Sequence, residues 1–128
     1  MKIYCVNDDP VIDLLCQKQG CRDDIIVLEE GQYYQLVFIE KDYFIKEYEE
    51  DLYLYGKNNL LFNTIVVSKI DRQTIKTAIE RYIKEKRLKN FCKSVIVSDR
   101  ILLSNYCKRK IVIDTDILYV EISKLKEY

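Results

Sequence analysis

The chain has 128 residues, 48% hydrophobic and 33% charged, with 21 basic and 21 acidic side chains that balance to zero; this is enough apolar material for one α+β domain spanning 1–128. Histidine is absent and the five cysteines (Cys5, Cys16, Cys21, Cys92, Cys107) form no C-x-x-C pair, which excludes Ser-His-Asp and Cys-His catalysis and leaves no ordinary zinc-ligand set. Glycine (3) and proline (1) are scarce, and no stretch approaches the roughly 20 apolar residues of a membrane span, so a cytoplasmic protein without cofactor is expected.

Met1–Val6 reads as a first strand. Asp8 or Asp9 suits the cap of a short helix with Pro10 at its first position, where a missing N–H costs nothing. Val11, Leu14 and Leu15 fall on one face of that helix, and Gly20 suits its stop. Ile25–Glu30 and Gln32–Ile39 read as an antiparallel hairpin about Gly31. Phe44, Ile45, Tyr48, Leu52 and Tyr55 then recur at three- and four-residue steps before Gly56, which predicts a helix with Asp42 as a candidate cap.

Thr64–Ser68 is a short apolar run suited to a buried strand. Asp71 opens the clearest element, where Ile75, Ala78, Ile79, Tyr82 and Ile83 follow the spacing of an amphipathic helix. Lys84, Lys86 and Arg87 suit its negative end. Ser94–Val97, Ile101–Leu103, Ile111–Ile113 and Ile117–Ile122 read as strands, with a helix over Ser98–Lys108 as the alternative. Together these elements predict an α+β fold with a mixed or mainly antiparallel sheet and two to three helices packed on it.

Charge is unevenly distributed. Residues 1–71 carry 14 acidic and 7 basic side chains, and residues 72–128 carry 7 acidic and 14 basic ones. The acidic half culminates in Glu40–Tyr55, where six carboxylates alternate with tyrosine and phenylalanine. One helix cannot turn all of those rings inward. Tyrosine gives large contact area at low entropic cost, and clustered carboxylates attract a basic partner. Glu47, Tyr48, Glu49, Glu50, Asp51, Tyr53 and Tyr55 are therefore the candidate partner-binding residues.

Two other readings use different residues. Asp8-Asp9-Pro10 after a strand resembles the opening of response-regulator receiver domains over Ile3–Leu15, but the later Asp and Lys of that family have no counterpart in place. Asp114-Thr115-Asp116 has the look of a metal-binding pair, and Asp8, Asp9, Asp114 and Asp116 together would suit a metal-dependent phosphoryl or nucleotide enzyme. Lys84, Lys86, Arg87, Lys89, Lys93, Lys108, Arg109 and Lys110 could track phosphates in a nucleic-acid-associated module, although a neutral chain without a known motif weakens that reading. Small size, an acidic aromatic segment and no evident catalytic set resemble, as a class, the immunity proteins of polymorphic-toxin systems. That resemblance implies a non-enzymatic inhibitor of a basic bacterial toxin domain, a nuclease among the candidates.

Overall fold

The computed structural model describes residues 1–56, 63–97, 99–103 and 118–128. In chain order the elements are β1 (Lys2–Cys5), α1 (Pro10–Gln19), β2 (Cys21–Glu29), β3 (Gln32–Glu40), α2 (Lys41–Tyr55), β4 (Thr64–Val67), α3 (Arg72–Lys84), α4 (Arg87–Phe91), β5 (Ile96–Val97), β6 (Arg100–Leu103), β7 (Leu118–Glu121) and β8 (Lys126–Glu127). The main sheet has five strands in the order β4-β3-β2-β1-β8. Its β3–β4 pair is parallel and its other pairs are antiparallel, so the sheet is mixed. A smaller antiparallel sheet is ordered β5-β6-β7. The fold is α+β, as composition and periodicity predict. None of the described helices is long and apolar enough to cross a membrane.

The local signals act as their chemistry requires. Asp9 caps α1 by accepting from the Val11 N–H at 2.8 Å, and Asp71 caps α3 by accepting from the Thr74 N–H at 2.7 Å. The β2–β3 hairpin closes over two residues, Glu30 and Gly31, with φ of 50° and 75°. Two successive positive φ values match the twist of a tight hairpin, and glycine relieves the strain at the second. Asn63, also at positive φ, clamps the start of β4. Its side chain donates to the carbonyls of Gln35 and Lys93 and accepts from the Lys93 N–H.

One face of the main sheet carries Ile3, Cys5, Ile25, Val27, Tyr34, Leu36, Phe38, Ile65 and Val67, and α3 and α4 cover it with Ile75, Ile79 and Leu88. On the other face Cys21, Val37 and Ile39 pack against Tyr43 and Phe44 of α2. α1 departs from its predicted orientation. Val11, Leu14 and Leu15 point to solvent, while Ile12, Asp13 and Cys16 turn partly inward. On that inward side Asp13 accepts hydrogen bonds from Arg22 and Arg72.

Gly20 ends α1 at φ 78°, and a Cβ there would stand 2.9 Å from the Tyr43 Cβ. Gly20→Ala is therefore expected to destabilise the fold by more than about 1 kcal/mol, through both backbone strain and the clash. Gly31→Ala shares the positive φ but meets nothing within 4 Å, so it should cost less. Urea titrations of the two variants compare them directly.

Candidate partner-binding surface

The α2 helix is fixed at both ends. Its start lies two residues before the Asp42 cap that the sequence suggests: Glu40 is the cap, and its two carboxylate oxygens accept from the Asp42 and Tyr43 N–H groups at 3.0 and 3.1 Å. Its end is set by Gly56 at φ 69°, whose N–H donates to the Leu52 carbonyl. Tyr43 and Phe44 anchor one side of the helix in the core.

The exposed surface of α2 mixes large apolar side chains with Lys41, Asp42, Lys46, Glu49 and Glu50. Ile45, Tyr48, Leu52 and Tyr55 are all exposed. Their i, i+3, i+7, i+10 spacing makes one continuous row. Glu49 and Tyr53, four residues apart, form the adjoining row, and Tyr53 is 89% exposed. Glu50 is exposed on the opposite flank. The Phe44 and Tyr48 rings lie 6.0 Å apart, which couples the exposed row to the buried anchor.

Five of the seven sequence-predicted residues (Tyr48, Glu49, Glu50, Tyr53 and Tyr55) thus face solvent on α2. The other two do not. Glu47 is half-buried, and Asp51 is 3% exposed. Asp51 lies on the anchored side of the helix, seven residues after Phe44, so its carboxylate is not presented to a partner.

The alternative acidic set is dispersed into structural roles where it is described. Asp9 caps α1, and Asp8 accepts from Arg72 Nη2 at 2.8 Å. Asp114 and Asp116 lie outside the described residues, as do Lys108, Arg109 and Lys110. Among the described residues no group of three or more His, Cys, Asp or Glu side chains is placed to hold a metal ion. Of the basic residues, Arg87 stacks on the Tyr82 ring at 4.3 Å and Lys89 pairs with Glu30 at 3.4 Å.

A second polar centre escaped the sequence reading. Arg22 is 2% exposed although it carries a full charge. It donates to Asp24 at 2.8 Å, to Asp13, and to the Asn7 carbonyl at 3.1 Å. Arg72 donates to the other oxygen of Asp13 at 3.0 Å and to Asp8. The Tyr128 ring lies against both guanidinium groups, at 5.1 and 4.7 Å, and against Lys76 at 5.7 Å. A β-bulge between Arg22 and Ile25 makes this possible. One extra residue shifts the alternation of β2, so Arg22, paired opposite Phe38, lies on the same face as Ile25 and Val27. Two acids beside a lone arginine at a strand start (Arg22-Asp23-Asp24) were the available signal.

This network ties β1, α1, β2, α3 and the last residue together. Burial raises the Asp13 carboxyl, but hydrogen bonds from Arg22 and Arg72 outweigh it and hold the group below its ordinary value of 3.8. Burial pushes Cys5 and Cys16 up to about 11, which leaves these thiols protonated and poorly nucleophilic. Because the Asp13 pKa is depressed on folding, its stabilisation is complete above 3.8 and is lost as pH falls through the folded value. Stability should therefore fall as the pH is taken below about 3.8. Asp13→Asn should reduce that slope while lowering stability at neutral pH, as urea midpoints across the acid range would show.

Comparison with protein-family models, with curated proteins and with solved structures finds no match.

Proposed function

We propose that this chain is a protein-binding module that docks a basic partner on α2, acting as an inhibitor of the immunity-protein kind against a toxin domain. The observation that carries this reading is the row Ile45, Tyr48, Leu52 and Tyr55 standing in water beside Glu49 and Tyr53. Large apolar side chains grouped on one surface helix mark an interaction site more often than isolated ones do. An amphipathic helix recognises a groove through such i, i+3, i+7 anchors. Tyrosine rings supply the contact that is expensive to lose, and carboxylates at the rim select a cationic surface.

Inhibition in this form needs no catalytic group. A partner's active cleft is closed by steric occlusion, and a nuclease cleft that binds phosphates is itself cationic. The acidic rim of α2 then occupies the position of the nucleic-acid backbone.

The test starts from the protein that co-purifies with the chain in its native host. That protein should carry a basic face, and any toxic activity it has should be neutralised by the wild-type chain. Glu49→Lys combined with Glu50→Lys should release it. Retention by the doubly reversed chain, at low salt and with unchanged kinetics, rules out α2 as the interface.

A further inference from the structure

We propose that the groove between β4 and α3 is a small-molecule site for an amphipathic organic carboxylate, whose apolar body lies along the groove and whose carboxylate meets Arg81. The groove lies on the α3 side of the main sheet, whereas α2 packs on the other face. The site therefore does not depend on the protein-binding reading of α2.

The groove has a volume of about 400 Å³, within the roughly 300–1,000 Å³ of small-molecule sites. Ile65 and Val67 line it from β4, and Ala78 and Tyr82 line it from α3. All four belong to the main core or pack against it, so the apolar walls are held in place before a ligand arrives. Thr77 and Ser68 add hydroxyl groups to the lining, and the Thr77 hydroxyl accepts from Gln73 Nε2 at 3.2 Å. From Thr74 to Arg81 the α3 wall is roughly 10 Å long.

The charged side chain in the lining is Arg81. Arg22, Arg72 and Arg87 each pair with a carboxylate. Arg81 is exposed and has no carboxylate partner among the described residues. Arg87 lies over the Tyr82 ring at 4.3 Å and adds positive charge at the same end of the groove. A guanidinium holds a carboxylate through two parallel hydrogen bonds. One unpaired guanidinium balances one negative charge, which suits a carboxylate better than a phosphate dianion. Apolar walls with a single placed charge orient a ligand end to end. Phenylbutyrate has the matching form, a flat apolar end and one carboxylate.

The test is a titration of the isotope-labelled full chain with phenylbutyrate, followed through amide chemical shifts. Saturable shifts are expected at residues 65–68 and 73–82. Acetate carries the charge without the body, and phenylbutanamide carries the body without the charge. Each should bind at least about tenfold more weakly, the loss expected for a charge-assisted hydrogen bond or for the apolar contact. This comparison uses the wild-type chain alone and is independent of how any variant folds. Arg81→Gln should weaken phenylbutyrate at least about tenfold and erase its advantage over the amide. Thr77→Phe should block phenylbutyrate, because it fills the groove from an exposed position of α3. Tyr53→Ala should leave binding unchanged. The absence of saturable shifts overturns the proposal, as do shifts that centre on α2. Equal binding of phenylbutyrate and its amide also overturns it, and so does binding that Arg81→Gln or Thr77→Phe leaves unchanged.

Discussion

Arg22→Met is expected to destabilise the protein by about 3–5 kcal/mol, the usual cost of removing one partner from a buried ion pair. Arg22 is the centre of the charge network, and its removal strands two carboxylates. Among the described residues, Asp24 would keep the Asn7 N–H at 2.9 Å, and Asp13 would keep Arg72. Methionine has nearly the right volume, so the loss reports on charge and hydrogen bonding more than on a cavity. Such a change corresponds to a fall in melting temperature of roughly 10–20 °C. Adding Asp24→Leu to Arg22→Met should recover part of the loss, because a stranded carboxylate is replaced by an apolar group. A single variant as stable as wild type would mean that the network does not hold this end of the sheet together.

Reversing Glu49 and Glu50 to lysine should slow association with the basic partner by at least about tenfold at low salt. The change shifts the net charge of the helix by about +4, two carboxylates lost and two ammonium groups gained, and steered association runs orders of magnitude faster than neutral encounter. Both side chains are exposed, so folding stability should move by no more than about 0.5 kcal/mol. That separation matters, because a binding defect in a normally folded variant cannot be traced to unfolding. Dissociation should change less than association, since rim charges act mainly before contact. Association and dissociation rates measured at low salt, together with a urea titration of the same variant, check both halves of this expectation.

Much of the fold was legible because its signals are local. Asp9, Pro10 and Gly20 bracket α1, the Glu30–Gly31 turn sets the hairpin, and the period of Ile75, Ile79 and Ile83 marks α3. The orientation of the helices was not legible. Val11, Leu14 and Leu15 look like a core-facing row, yet the α1 side that carries Asp13 turns toward Arg22. Spacing alone cannot weigh a buried ion pair against an apolar row. The bulge in β2 was equally hidden, because it changes strand parity without changing composition. Tyr128 reaches the network only because β8 returns to pair with β1, a contact between residues far apart in the chain. On α2 the sequence identified the segment, and within it Asp51 could not be told from Glu49 and Glu50 without knowing that Tyr43 and Phe44 set the inward side.

The most direct measurement is the association rate of the wild-type chain with its co-purifying partner as ionic strength rises from about 10 mM to about 0.5 M. Screening shortens the reach of charge over that range from roughly 30 Å to a few ångströms. Recognition of a cationic surface by the α2 carboxylates predicts a steep, continuous fall in rate that Glu49→Lys with Glu50→Lys flattens. A rate that stays level with salt, and is the same for both chains, would contradict it.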